Sequence, residues 1–333
     1  MKPIDLCEAG ALQPFVNCMQ RRGLEVEHYL EQQWISPAQV DSGEGKIIKR
    51  QAWKMFEEVQ RREGLDSLGF LDGDSFSVDD LGELGSILRQ SSTLQDAIET
   101  FSRLIPSFAE GNTVWLERGP VISWLWCLTD GLDLETRVPD HFTIVVLSSV
   151  IRMVAGPDWR PEKIRFQSAA TRTVDKISLV GDRECQFEQV GSAVAFKTEL
   201  LASQMTCRSP LSSPASPGLQ EGSPSRSLGE TLRLVLSPRI TDHSLPSAIE
   251  AAEILGVSRS TLSRTLLAEG SGYRKMIERI RFEIARELLK ENCSLKEIAH
   301  ELGYSGSNNF SRAFLRMSGF TPGEFRRRNL FDR

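Results

Sequence analysis

The chain has 333 residues, 40% apolar and 26% charged, with a formal net charge of −5; this is the composition of a soluble globular protein long enough for two cores and excludes a disordered or fibrous chain. Cys7, Cys18, Cys127, Cys185, Cys207 and Cys293 form no C-x-x-C, and none has a His pair at ligand spacing nearby, which sets aside zinc sites and a disulfide framework in favour of reduced thiols in a cytosol. From Arg226 to the end, 18 Lys and Arg face 13 Asp and Glu for a net +5, while 22 against 32 before it make −10; either one half meets a polyanion, or surface charge varies by chance, since +5 falls short of a strongly basic domain.

The opening "MKPIDLCEAGALQPF" lacks the apolar run of a signal peptide. "ALQPFVNCMQRRG" and "IIKRQAWKMFEEVQRREG" carry apolar residues at helical spacing before a Gly stop, and "STLQDAIETFSRLI" repeats Leu94, Ile98 and Phe101 behind a capping candidate, Ser92. In "NTVWLERGPVISWLWCL" two runs rich in Val, Ile and Trp flank a Gly-Pro break, predicting a hairpin. "HFTIVVLSSVIRMVAG", 141–156, is interrupted by Ser148, Ser149 and Arg152, too short for a bilayer span, and reads as a buried helix. "EKIRFQSAA" and "GSAVAFKTELL" read as short strands, so an α+β domain is expected over 1–208.

In "SPLSSPASPGLQEGSPSRS", 209–227, 13 of 19 residues are Ser, Pro or Gly. Such a segment buries too little apolar surface to offset its ordering entropy. It is expected to be a flexible linker spanning roughly 25 Å, a little more with its Pro residues.

Over 228–333 strand signals vanish and an all-α domain is predicted. Here "AAEILGVSRSTLSRTLL" overlays "IAHELGYSGSNNFSRAFL": Ala252 on Ala299, Leu255 on Leu302, Gly256 on Gly303 and Ser258 on Ser305, then, one residue further offset, Leu262 on Phe310, Arg264 on Arg312 and Leu266 on Phe314. Each copy reads as a helix-turn-helix, 247–269 and 295–318, with a small Ala at the crossing and Gly in the turn. Ser258 and Ser305 are candidate caps, and an i, i+4 apolar pair faces inward. With Phe310 and Phe314 buried, Ser307, Asn308, Ser311 and Arg312 fall on other faces, as Ser260, Thr261, Ser263 and Arg264 do in the first copy. Asn suits adenine, and Arg suits guanine or phosphate. A solvated helix face explains one such pattern as well, but two copies at a regular offset favour DNA. Between them, "YRKMIERIRFEIARELLKEN", 273–292, places Tyr273, Met276, Ile277, Ile280, Ile284 and Leu288 at helical spacing. A helix of that length, roughly 30 Å, would hold two recognition helices near the roughly 34 Å of one DNA turn.

These residues resemble the AraC/XylS family of bacterial transcription regulators. The resemblance covers about 228–328 and includes "LGVSRSTLSR", the pattern R-F-x-x-A-x-x-L-L over Arg281–Leu289, "IAHELGYS", "FSRAF" and "GFTPGEFRR". It implies DNA contacts by Arg259, Ser260, Ser263 and Arg264 in the first motif and by Ser307, Asn308, Asn309, Ser311 and Arg312 in the second. Small hydroxyl residues fill much of the first recognition helix, so base reading there leans on Arg264 and bridging water. Arg281 either contacts phosphate or ties the connecting helix to a turn. Arg326, Arg327 and Arg328 either add phosphate contacts or form a solvated basic tail.

The first domain is similar to the arabinose-binding-type sensor and dimerisation domain of ornithine-utilisation-like regulators, through "LGELGSILRQSSTLQDAIETFSRL", "RPEKIRFQSAA" and "CQFEQVGSAVAFKTELL". This implies response to an effector, without naming it, and a homodimer. Trp115, Trp124 and Trp126 either line a pocket or pack in a half-buried sheet. The expected function is a cytoplasmic, sequence-specific transcription regulator, more often an activator in this family. It reads two adjacent major-groove segments, with RNA polymerase as partner, and has no catalytic residue, metal, cofactor or membrane contact. Two alternatives are weighed. One is a Cys-dependent alkyl-transfer enzyme fused to the DNA module, which needs an activated thiol; the scattered Cys and the dispersed His28, His141, His243 and His300 supply no such setting. The other rests on protein partners: a ligand-independent regulator controlled by them, or a purely structural partner protein whose helix-turn-helix units dock protein.

Overall fold

A computed structural model of the chain describes every residue except 1–3, 66, 72–75, 132–136, 171–176, 206–225, 242–244, 292 and 332–333. The described residues fall into two compact units, one ending at 205 and the other beginning at 226. The linker expected over 209–227 lies almost wholly outside the described residues, as do Cys207 and His243.

In the first unit a short ribbon, β1 (Leu6–Glu8) antiparallel to β2 (Lys46–Ile48), brackets the helices α1 (Gln13–Arg21), α2 (Val26–Gln32) and α3 (Pro37–Ser42). Ile47 and Ile48, expected to begin a helix, belong to that ribbon. Gln51 reaches back to accept the Ile48 N–H at 3.1 Å, so α4 (Lys49–Glu63) starts one residue later and stops at Gly64, φ 66°. After α5 (Glu83–Leu88) comes α6 (Leu94–Phe108), with Leu94, Ile98 and Phe101 buried as their spacing predicts. Its cap is Thr93 and not Ser92. Thr93 is the extended residue whose hydroxyl accepts the Asp96 N–H at 3.1 Å, while the Asp96 carboxylate accepts the Thr93 N–H at 3.2 Å.

The main sheet comprises β3 (Asn112–Glu117), β4 (Ile122–Thr129), β5 (Lys163–Arg165), β6 (Glu184–Gln186) and β7 (Ser192–Lys197), in the order β3-β4-β7-β5-β6. The expected hairpin is the β3–β4 pair, and only β5 and β6 run parallel. Strand alternation sends Leu125, Cys127, Val194 and Phe196 into the core shared with α6 and α7 (Arg137–Ala155). Burial of each such large side chain stabilises by roughly 1.5–3 kcal/mol. α7 contains the apolar stretch predicted as a buried helix; it is long and apolar enough to cross a membrane, yet 67% of its apolar window is buried inside this unit. On it, the buried Asp140 accepts the Ser168 N–H at 2.8 Å and the Ser192 hydroxyl, tying the helix to the loop after β5 and to the start of β7.

The second unit has no strand among its described residues. Its helices are α8 (Leu228–Thr241), α9 (Ala248–Leu255), α10 (Arg259–Ala268), α11 (Tyr273–Lys290), α12 (Leu295–Glu301), α13 (Ser307–Ser318) and α14 (Pro322–Phe331). α11 is the predicted connecting helix, and Met276, Ile277 and Ile280 are buried as expected. Further along, Ala285 and Leu289 are buried while Ile284 and Leu288 are only half-buried, a correction to the predicted stripe. Different faces of α11 meet different helices: Glu283 pairs with Arg233 of α8, Phe282 meets Phe314 of α13 and Arg286 lies over Phe325 of α14.

Candidate nucleic-acid interface

Both helix pairs in this unit are opened by the same local chemistry. The Ser247 hydroxyl accepts the Glu250 N–H at 3.3 Å, and the Glu250 carboxylate accepts the Ser247 N–H at 2.7 Å. Ser294 and Glu297 repeat this box, the hydroxyl accepting at 3.2 Å and the carboxylate at 2.8 Å. The backbone N–H of the Ser in each box holds the partner Glu carboxyl below its usual range. The duplication therefore extends to the caps, a signal present in the sequence as two S-x-x-E runs just ahead of the overlaid segments.

Gly256 at φ 67° and Gly303 at φ 71° turn the chain between the paired helices, the left-handed backbone that favours Gly. Ser258 caps α10 as expected, accepting the Thr261 N–H at 3.1 Å. Ser305 does not cap α13. The extra residue in the second turn places Gly306 at that position, and the Ser305 hydroxyl instead accepts the Asn309 amide at 2.6 Å. Leu262, Leu266, Phe310 and Phe314 are all buried. Phe314 sits 5.0 Å from Phe282 and 5.3 Å from Phe325, which fixes the rotation of α13 about its axis.

With those faces inward, Arg259, Ser260, Ser263 and Arg264 are exposed on α10. Asn308, Asn309 and Arg312 are exposed on α13, where Ser307 and Ser311 are half-buried. Arg259, Arg264 and Arg312 form no ion pair among the described residues, so their guanidinium forks stay open to an external acceptor. Two of the predicted contact residues are already engaged: Asn309 with Ser305, and Ser260 with the Ser258 hydroxyl at 2.8 Å. Arg316, which sequence reasoning passed over, pairs with Glu278 of α11 at 3.6 Å and links the second recognition helix to the connecting helix.

The structure favours the structural reading of Arg281, whose guanidinium lies 5.5 Å from the Tyr304 ring in the second turn. It also divides the terminal Arg run. Arg326 donates to the Cys293 carbonyl and Arg328 stacks 3.9 Å over Phe320, while Arg327 is exposed.

In the first unit, the Trp115 and Trp126 rings stack 5.5 Å apart, and the Arg165 guanidinium lies 4.1 Å from the Trp124 ring and 5.0 Å from that of Trp126. Trp126 also donates to Glu117 at 2.7 Å. These contacts match sheet packing for Trp124 and Trp126. Burial pushes the Cys7 and Cys127 thiols up to about 12, the opposite of what an activated thiolate needs. Among the described residues no group of three or more His, Cys, Asp or Glu is placed to hold a metal ion.

A mixed α/β unit followed by an all-helical unit carrying two helix-turn-helix motifs on one connecting helix defines a DNA-binding regulator class. The family model described as the arabinose-binding domain of AraC transcription regulator, N-terminal, matches residues 23–205, and a helix-turn-helix domain model matches 251–328. The chain belongs to the AraC family of transcription regulators. It is 39% identical over 80 residues to the HTH-type transcriptional regulator GlxA of Rhizobium meliloti, covering 23% of this chain and 25% of that one. To VqsM of Pseudomonas aeruginosa it is 35% identical over 82 residues, covering 24% and 25%. The match thus spans about a quarter of these curated relatives. The transcriptional regulator CdpR from Pseudomonas aeruginosa, a solved structure, aligns over 96% of this chain and 98% of its own at 18% identity and a TM-score of 0.36.

Proposed function

We propose that the protein is a cytoplasmic, sequence-specific regulator that binds a two-box DNA site with α10 and α13 in successive major grooves. It activates transcription through RNA polymerase and is modulated through its first unit, which also pairs two copies. In this reading 1–208 senses, 209–227 links and 228–333 binds DNA, and the work is binding with no covalent chemistry. The observation that carries the reading is the pair of equivalent helices, each locked by buried residues and each presenting an unpaired Arg, Arg264 and Arg312. α11 has 18 residues, about 27 Å of helix, a span suited to neighbouring grooves on one DNA face.

Selection of a random duplex pool with the full chain tests it. Two enriched boxes centred about one helical turn apart are the expected result. Arg264→Ala and Arg312→Ala should each weaken binding by about 1–3 kcal/mol and relax preference in one box only. Uniform weakening across sequences would reassign that Arg to phosphate, and unchanged affinity in both variants would remove the assignment.

A further inference from the structure

Outside the DNA domain, the first unit holds a cavity of about 560 Å³, a volume typical of small-molecule sites. Its floor is apolar, formed by Phe101 and Ile105 of α6 and by Phe142 and Val146 of α7. Its rim is acidic and drawn from separate elements: Glu8 at the end of β1, Asp41 on α3, Asp80 in the turn before α5, and Glu83 in the first turn of α5. No Lys, Arg or His lines it among the described residues.

The balance of charge decides the ligand class. Asp79, also on the rim, is neutralised by Arg89, which donates at 2.6 Å, and Glu8 pairs with Lys46 at 3.1 Å. Asp41, Asp80 and Glu83 have no ion-pair partner among the described residues, although the Asp80 carboxylate accepts the Ser77 N–H at 2.7 Å. Burial holds the Glu8 carboxyl above its usual range, opposed first by Lys46 and reinforced more weakly by Glu83 and Glu110. Gln13 on the cavity wall has a side-chain oxygen with no hydrogen-bond partner, so it too offers an acceptor and no competing cation. An anion entering here would lose hydration without gaining a donor of positive charge, whereas an ammonium group at the rim gains charge-assisted acceptors while its apolar body covers the floor.

We infer that this cavity binds a small organic cation, an amine carrying an apolar or aromatic body, as the effector of the regulator. The inference rests on the proposed modulation through the first unit. It is specific in sign: carboxylates with no cationic partner among the described residues select against the carboxylate analogue and favour an ammonium over a neutral group on the same body.

Calorimetry on the full chain tests it with three probes that share one body, 2-phenylethylamine, 2-phenylethanol and phenylacetate, together with L-arabinose. The amine is expected to bind saturably at one site per chain, at least tenfold more tightly than the alcohol, with no heat from phenylacetate. Asp41→Asn combined with Glu83→Gln, both at exposed positions, should cut amine affinity at least tenfold and leave the alcohol unchanged. Val146→Trp should fill the floor and abolish both. Thermal unfolding midpoints near the parent's certify that the variants fold. Equal affinity for amine and alcohol, tighter binding of arabinose, an amine signal indifferent to every variant, or no saturable binding would each overturn the inference. Duplex binding by the same preparation separates the two readings: intact DNA binding without amine binding removes the ligand class and leaves the regulator. Amine binding without any DNA binding does the reverse.

Discussion

His141 shows how much a single buried ring governs in the first unit. It is 1% exposed, its ring stacks 4.3 Å from Phe70, and neither nitrogen has a hydrogen-bond partner among the described residues. Burial, helped by Arg137, holds its pKa down to about 3. Because the folded pKa lies below the unfolded value near 6.5, the folded state refuses a proton that the unfolded chain accepts. Stability is therefore full above about pH 7 and falls as pH drops toward 3, by about 2 kcal/mol between pH 7 and pH 5 from this residue alone. His141→Phe keeps the aromatic contact and removes the titration. Urea unfolding at the two pH values should show a loss smaller by about that amount than in the parent, and an unchanged pH dependence would assign the acid sensitivity elsewhere. Nothing in the sequence distinguished His141 from the other three His, since its environment comes from Phe70 and Phe166, distant in the chain.

At the scale of elements, legibility followed the range of the interactions. The helix faces of α10 and α13 were readable because i, i+4 spacing is local, and the β3–β4 hairpin because its turn is. β1, β2 and β6, three residues each, were not, since such strands are set by partners elsewhere and carry too little sequence to show a period. The same limit hid the junction of α8 with α10. Glu269, just beyond α10, accepts the Leu228 N–H at 3.0 Å and the Gly229 N–H at 2.9 Å, placing a carboxylate on the positive N-terminus of a helix 40 residues earlier. Glu269→Ala leaves those donors to water and should lower the stability of the DNA-binding unit by about 1 kcal/mol. Glu269→Asp, a carboxylate one methylene shorter, should lose less. Equal denaturation midpoints for parent and Glu269→Ala would show that water replaces the cap without loss.

For the molecule as a whole, the charge asymmetry and the duplicated motif point the same way. The basic third of the chain holds both recognition helices, and α11 holds them at a fixed separation through contacts on either side: Tyr273 donates to the Pro246 carbonyl at 2.6 Å ahead of α9, and Glu278 pairs with Arg316 of α13. In the proposed two-box reading, a rigid spacer makes the distance between boxes part of what is recognised. Inserting five base pairs between the selected boxes turns the second groove to the opposite side of the duplex, roughly 17 Å further on. The second motif then reaches its box only if α11 breaks or the DNA is strongly deformed, and either costs more than the contacts return. Titration of the full chain against the half-turn duplex should show affinity lower by at least about 2 kcal/mol, roughly thirtyfold. A ten-base-pair insertion, restoring the face but adding about 34 Å, should recover little of it. Recovery at ten base pairs would mean that the two boxes are bridged by two chains, each using one motif, and the single-chain reading of the operator would give way to a dimer joined through the first unit.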